Sequence, residues 1–263
     1  MNVHEYPTRT VAAHPAAAVF TALAGVPLVQ PGDDLASIIL AALAASREHL
    51  RDGDVLVLAQ KIVSKAQNRF VCLATVRPSP QAERLAREVN KDPRLVELIL
   101  RESTEVVRHR RDVLVVAHKL GFVMANAGID RSNVEQGIGD DTVLLLPANA
   151  DETCAELRAT LCSRSGADVA VIINDSHGRP FRSGTVGVAI GASGLPALRN
   201  LRGAPDLYRR QLQSTEVAWA DEIAAAASLL MGQANEGRPI VLARGIPNAR
   251  GRGAAADLIR PKE

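Results

Sequence analysis

Two short polar segments carry the oxygen-bearing side chains that could do chemistry. Residues 126–133 offer the carboxylate of Asp130 with a hydroxyl and two amides near it in sequence. Asp175-Ser176 stands one residue after an apolar run at residues 169–173. Carboxylates with hydroxyl and amide neighbours, and without soft ligands, are what Mg²⁺ or Mn²⁺ coordinates beside phosphate oxygens. The alternative is structural, with Asp130 capping a turn and Asp175 forming an Asx turn before Gly178.

Basic side chains stand close to these segments or follow another apolar run. Lys61 and Lys65 come after the run at residues 55–59, where they could hold nucleotide phosphates as point charges. The competing interpretation is a solvated exit from the strand. Arg179 and Arg182 follow Asp175 and would suit an anionic substrate, although surface Asp–Arg pairs are common and weak. His177 is expected to be a loop residue rather than a general base.

Standard nucleotide and hydrolase motifs are absent from the sequence. It contains no G-x-x-x-x-G-K-[ST], no G-x-G-x-x-G between a strand and a helix, no G-x-S-x-G and no H-E-x-x-H. A nucleotide, if bound, must therefore be held by another arrangement.

The apolar pattern predicts the elements that position these residues. Helices are predicted after Asp33 or Asp34 to near Ser46, from Ser79-Pro80, from Asp92-Pro93, over 151–166 and over about 215–231. Strands are predicted near 19–23 and at 55–59, 113–117, 122–125, 169–173, 186–190 and 240–243, with polar loops at 174–182 and from Asn248. Gly184, Gly187, Gly191 and Gly194 suggest close backbone approach. The fold class expected is α/β or mixed α+β, with a mixed sheet and flanking helices.

Composition narrows the class of protein. The 263 residues carry a net charge of +2 and only seven aromatic side chains, which disfavours binding to nucleic acid by bulk charge or base stacking. No apolar run is long enough to cross a bilayer, and three cysteines without a CxxC pair suggest a reduced, cytoplasmic protein. Residues 11–23 could pass for a short signal sequence, but a mobile lead-in before the first strand is preferred.

An ordered set of segments resembles the coenzyme F420-0:L-glutamate ligase family. The resemblance runs from about Gly25 to Ile246, and these segments carry it in family order: residues 25–35, 52–57 with 61–66, 92–97, 126–133, 187–191 and 220–224 with Met231-Gly232. Residues 1–24 form a lead-in and first strand before it. Residues 25–263 are then one ligase-like domain, possibly of two lobes.

The resemblance implies a fold and an activity. Members are similar in being intertwined homodimers that use Mg²⁺ or Mn²⁺, two per site, and in adding L-glutamate to the lactyl carboxylate of a deazaflavin coenzyme precursor. GTP is converted to GDP and phosphate, with an acyl phosphate as the intermediate.

The resemblance also implies roles for individual residues. Asp130 and Asp175 look like the catalytic metal carboxylates, Ser176 stands where a threonine is usual, and Gln233 falls at a further metal position. The positions similar to GTP contacts are Val26, Pro27, Leu28, Val29, Gln60, Lys61, Lys65, Asn133, Met231 and Gly232. Gln60-Lys61 replaces small hydroxyl residues found in some relatives.

Two other functions stay open at this point. One is a GTP- and metal-dependent ligase for a different acid or amine. The other is a non-catalytic dimer that binds GTP. Two acidic residues and a hydroxyl favour catalysis, because binding alone does not require a constellation able to hold two cations.

Overall fold

The computed structural model describes residues 16–134, 141–247 and 249–261. Most of the predicted lead-in, residues 1–15, and the tail residue Asn248 lie outside the described part. Within it, the cysteines Cys72, Cys154 and Cys162 are free thiols. No helix of the described residues is both long enough and apolar enough to cross a membrane.

The described chain forms six α-helices and twelve strands. The helices are α1 Leu35–Ala45, α2 Gln60–Ala66, α3 Pro80–Val89, α4 Pro93–Arg101, α5 Ala150–Ser165 and α6 Trp219–Met231. The strands are β1 Val19–Ala22, β2 Val55–Ala59, β3 Phe70–Cys72, β4 Ser103–Arg110, β5 Val113–His118, β6 Val123–Ala125, β7 Thr142–Leu144, β8 Ala170–Arg179, β9 Arg182–Ser193, β10 Leu198–Asn200, β11 Glu216–Ala218 and β12 Ile240–Arg244. Short 3₁₀ helices occupy Leu73–Thr75, Asn126–Gly128 and Ala255–Leu258.

Three helix starts follow from capping side chains, as the sequence predicts. Asp34 accepts hydrogen bonds from the backbone amides at the start of α1, Ser79 caps α3 and Asp92 caps α4. Proline at the first position of α3 and α4 fits this arrangement, because the missing N–H would lack a helical partner anyway.

A five-stranded mixed sheet forms the centre of the molecule, in the order β1-β12-β2-β8-β9. Only β2 and β8 run parallel, and the other neighbours are antiparallel. The side chains from Val55 to Leu58 are fully buried, as expected for a strand covered on both faces. The predicted mixed sheet is confirmed.

Each face of this sheet is covered by its own apolar cluster. Helices α1 and α5 pack on one face around Leu56, Leu58 and Ile173. Helix α6 and the 3₁₀ helix near the C-terminus cover the other face around Val57 and Ile172. A second layer consists of the sheet β4-β5-β6, packed against α3 and α4. Neither β4 nor the short pairs β3–β7 and β10–β11 is predicted by the apolar pattern.

Three expectations are wrong in their details. The polar loop expected at residues 174–182 is strand through Arg179, so Asp175 does not form an Asx turn before Gly178. Lys61 and Lys65 lie on α2, not on a solvated exit from β2. The helix expected from about residue 215 begins at Trp219, because residues 216–218 pair as β11.

An ion cluster around the buried Asp54 connects β12 to the start of β2. The Arg244 guanidinium donates two hydrogen bonds to Asp54, at 2.9 and 2.8 Å, and a third to Glu48 at 2.9 Å. Asp54 is 1% exposed and also accepts a hydrogen bond from the Arg51 backbone amide at 2.8 Å, so Arg244 supplies the charge that compensates it.

We expect Arg244→Ala to lower the free energy of unfolding by about 3 kcal/mol, because it leaves a buried carboxylate without its cation. The control is Arg250→Ala, which removes a 2.8 Å pair with Asp52 whose side chains are both more than half exposed, and which should cost at most about 1 kcal/mol. Urea unfolding of both variants measures the difference, and equal losses would contradict the assignment.

Candidate functional site

The site lies where the parallel pairing of β2 with β8 ends. The register pairs Ala59 with Asn174, so α2 starts beside the point where β8 continues into Asp175. Open α/β sheets bind ligands at this edge, outside the carboxyl ends of their strands. Beyond Asn174, β8 pairs only with β9 among the described residues, so no described strand lies along its other edge.

A left-handed turn brings Asp130 to this edge. The chain leaves β6 through Asn126, Ala127 and Gly128, which all have positive φ, and Asp130 then pairs with Leu144 through two backbone hydrogen bonds of 2.9 Å. Gly128 has φ of 65°, and an added Cβ would lie 2.8 Å from the side chains of Leu146 and Met124. The turn therefore requires glycine at this position.

Helix α2 provides the contacts to Asp130. Gln60 Nε2 donates to Asp130 Oδ2 at 2.9 Å, and Ser64 Oγ donates to Gln60 Oε1 at 2.9 Å. Gln60 and Ser64 are both buried, so this chain of hydrogen bonds fixes the amide in one orientation. Lys61 Nζ lies 3.5 Å from the same Asp130 oxygen and donates to Ser132 Oγ at 2.8 Å.

The electrostatics of Asp130 show that a second negative charge is near. Burial raises the pKa of Asp130 above its ordinary value, Lys61 opposes this rise, and the charge of Asp175 adds to it. Two carboxylates thus share a poorly solvated region, and Asp130 has one ion-pair partner among the described residues, Lys61.

Asp175 lies beside the ring of His177. His177 Nε2 is 3.0 Å from Asp175 Oδ2, but the geometry is not that of a hydrogen bond, and Nε2 has no hydrogen-bond partner among the described residues. The His177 ring packs edge-on against Phe122, with centroids 6.1 Å apart. Both the Asp175 and His177 side chains are nearly buried, at 12% and 10% exposed. His177 is therefore a strand residue inside the site.

Ser176 and Gln233 form a second group. Ser176 Oγ donates to Gln233 Oε1 at 2.8 Å, and Gln233 Nε2 donates to Ser228 Oγ on α6 at 3.2 Å. Successive strand side chains point to opposite faces, so Ser176 faces α6 while Asp175 faces away from it. The residues with proposed metal roles therefore form two pairs. Asp130 and Asp175 lie on one face of β8, and Ser176 and Gln233 lie on the face toward α6.

Asn133 connects these groups. Its Nδ2 donates to the backbone oxygen of Ala234 at 2.9 Å, which joins the loop after Asp130 to the loop after α6. Met231 ends α6 and lies 3.5 Å from Asn174 Nδ2, and Gly232 follows with φ of 74°.

The segment from Val26 to Val29 lies at the far end of α2. Gly32, just after it, donates to the backbone oxygen of Ala66 at 2.9 Å, and Val26 packs with Ala66 against the same apolar cluster. Leu28 is 85% exposed, whereas Val29 is buried. The structure thus places this segment at one end of α2 and Asp130 at the other. The seven residues of α2 span about 10 Å at a rise of 1.5 Å per residue.

Lys61 and Lys65 stand one turn apart on α2, and residues with this spacing share a helix face. The two arginines after Asp175 lie at the tip of the β8–β9 hairpin. Arg179 is partly buried, Arg182 is exposed, and Phe181 between them is fully exposed.

Protein ligands alone cannot make a metal site of three or more His, Cys, Asp or Glu side chains within the described residues. Two carboxylates with hydroxyl and amide oxygens fit Mg²⁺ or Mn²⁺ when phosphate oxygens and water complete the shell. The donor set here is of that kind.

Comparison with known proteins identifies a family for the chain. Residues 25–245 match the model of the family described as F420-0:Gamma-glutamyl ligase. The chain belongs to this ligase family. It is 48% identical over 241 residues to the coenzyme F420:L-glutamate ligase of Methanothermobacter thermautotrophicus, covering 91% of this chain and 94% of that protein. The enzyme of the same name from Methanopyrus kandleri is 49% identical, covering 83% of each chain. That from Halobacterium salinarum is 42% identical, covering 85% of each.

Sequence reasoning missed two supporting residues of this family member. Asn174 is 5% exposed, and its Oδ1 has no hydrogen-bond partner among the described residues. Ser228 orients Gln233 from α6. The position of Asn174 at the end of an apolar run is a sequence signal that could have indicated it. Ser228 is a single serine in an alanine-rich helix, and no sequence signal indicates its role.

Glycine in β9 sets the distance between this strand and α6. A Cβ on Gly187 would lie 2.5 Å from Asn174 Oδ1 and 2.6 Å from the Ala224 backbone oxygen. The predicted close approach is thus confirmed at Gly187, and also at Gly191 and Gly194, whereas Gly184 has nothing within 4 Å.

We expect Gly187→Ala to lower the free energy of unfolding by about 1–3 kcal/mol, because α6 must move away from β9. Gly178→Ala is the matched control, since a Cβ there meets nothing within 4 Å, and an alanine in a strand should be neutral or stabilising by up to about 1 kcal/mol. Urea unfolding compares them, and a Gly187→Ala protein as stable as Gly178→Ala would refute the close packing.

Proposed function

We propose that the protein is a GTP-dependent amide ligase that adds L-glutamate to the lactyl carboxylate of coenzyme F420-0. The observation that carries this proposal is the match to coenzyme F420:L-glutamate ligases over nearly their whole length. The electrostatic interaction of Asp130 with Asp175 supports it, as do Lys61 against Asp130 and Lys65 one turn further along α2. Phosphoryl transfer needs both metal ligands and phosphate-binding cations.

The chemistry explains why a nucleoside triphosphate is required. A carboxylate is a poor acyl donor to an amine, because its oxygen is a poor leaving group. Transfer of the γ-phosphoryl group from GTP to the carboxylate oxygen gives an acyl phosphate and GDP. The glutamate nitrogen then attacks the acyl carbon, the C–O bond to phosphate breaks, and the amine loses a proton.

The proposed divalent cations are Mg²⁺ or Mn²⁺, two per site, held by Asp130 and Asp175 with Ser176 and Gln233 near them. Bound metal would neutralise the oxygens of the transferring phosphoryl group. The other side chains of the site position these two carboxylates. Gln60 and Lys61 hold Asp130 in place, and His177 packs beside Asp175. The GTP contacts belong to the same proposal, and they are Val26, Pro27, Leu28, Val29, Gln60, Lys61, Lys65, Asn133, Met231 and Gly232.

We expect Asp130→Asn and Asp175→Asn, made separately, to lower the turnover rate about 100- to 1000-fold, since each removes several kcal/mol of charge stabilisation. Stability should change little, because both residues lie at the edge of the sheet. Asp112→Asn is the control, at an exposed turn.

Mass spectrometry of F420-0 incubated with protein, GTP, glutamate and Mn²⁺ measures the product. Normal glutamylation by either variant would defeat the residue assignment. GTP binding without product in the unmodified protein would favour the non-catalytic dimer. GDP release with another acid or amine, but not with F420-0 and glutamate, would favour the other ligase.

The proposed assembly is an intertwined homodimer. Large apolar side chains stand exposed at the end of the β10–β11 hairpin, where Leu207 is 77% and Tyr208 84% exposed. Exposed apolar side chains of this size suit burial against a second copy of the chain.

We expect sedimentation to give a dimer at micromolar concentration, and the double change Leu207→Asp with Tyr208→Asp to weaken it at least tenfold by placing charges in an apolar contact. Leu229→Asp tests whether any exposed leucine has this effect, since Leu229 is 84% exposed on α6. A monomeric unmodified protein would contradict the assembly.

A further inference from the structure

Lys61 occupies an unusual place for a phosphate-binding residue. Its ammonium lies 3.5 Å from Asp130 Oδ2 and 2.8 Å from Ser132 Oγ, and its side chain is 26% exposed. It therefore faces a carboxylate that the proposed function assigns to a cation.

The region needs a positive charge when no metal is bound. Asp130 is partly buried and lies close enough to Asp175 for the two charges to interact. Gln60 contributes a hydrogen bond to Asp130 but no charge. Lys61 is the ion-pair partner that the described residues provide to Asp130, so it supplies the compensation.

A divalent cation on Asp130 would disfavour this ammonium. Both would bind one carboxylate, and like charges a few ångströms apart in a partly buried site repel strongly. The lysine stem is long and flexible, so its head can move without a change in α2. Phosphates near α2 would give it another negative partner.

We propose that Lys61 is an exchangeable counter-ion, which neutralises Asp130 in the nucleotide-free protein and leaves it for the nucleotide phosphates when GTP binds. Metal binding and GTP binding then strengthen each other, because GTP removes the cation that competes with the metal. This inference rests on the proposed function, since it takes Asp130 as a metal ligand and GTP as the nucleotide.

The inference predicts a gain of affinity from the loss of a side chain. Lys61→Ala should bind Mn²⁺ on the order of tenfold more tightly than the unmodified protein without GTP, a typical size for coupling between sites. The same variant should bind GTP more weakly at saturating Mn²⁺. A merely structural lysine would not produce opposite changes. Lys61→Arg keeps the charge and should keep the Mn²⁺ affinity low.

The experiment is a titration of Mn²⁺ into each nucleotide-free protein, followed by the electron paramagnetic resonance signal of the free ion. Lys65→Ala is the matched control, because it removes the same charge one turn along the same helix and should tighten Mn²⁺ binding less. Asp130→Asn and the double variant Lys61→Ala/Asp130→Asn complete a mutant cycle, in which loss of Lys61 should have no effect once Asp130 is neutral.

The outcomes separate this inference from the proposed function. If Asp130→Asn weakens Mn²⁺ binding but Lys61→Ala leaves it unchanged or weaker, the counter-ion role is overturned and the metal site stands. Equal tightening by Lys65→Ala, or tightening that persists in the double variant, also overturns it. If neither the unmodified protein nor Lys61→Ala binds Mn²⁺, both the inference and the metal assignment fail.

Discussion

The parallel pairing of β2 with β8 determines where the side chains of the site lie. Its register places Ala59 opposite Asn174, so the first residues of α2 and the polar end of β8 meet at one edge. A shift of one residue would turn Asp175 to the face that Ser176 now occupies. Burial on both faces fixes this register. A shift would move the apolar side chains of each cluster to the opposite face of the sheet.

How far the sequence predicts the structure depends on which signal each element carries. Helices α1, α3 and α4 were predictable because a capping side chain precedes each of them. Strand β8 was predicted too short, because its apolar run stops at Ile173, whereas the hydrogen bonds to β9 continue to Arg179. Backbone pairing does not require apolar side chains, so polar residues in a hairpin are easily taken for a loop.

The sequence predicts which residues form the site, whereas the arrangement of their side chains comes from the structure. The family resemblance names Asp130, Asp175, Ser176 and Gln233, yet only the alternation of β8 shows that the last two lie on the α6 side. Gln60 and Asp130 are 70 positions apart and Lys61 is the next neighbour of Gln60 in sequence, so local sequence carries no information on these contacts. Helix α2 has only seven residues, too few for a clear periodic pattern.

The position of the Arg244–Asp54 cluster has a consequence for how the protein can change. It stands before the first residue of β2, whereas the carboxylates stand beyond the last, about 17 Å away at 3.3 Å per strand residue. Unit charges that far apart interact by only about 1 kcal/mol at the effective dielectric constant of a protein, and the opposite charges of Arg244 and Asp54 partly cancel each other. Substitutions that adapt the protein to a hotter or more saline habitat can therefore change the charges at the first end of β2. They would leave the electrostatics of the carboxylates at its other end unchanged.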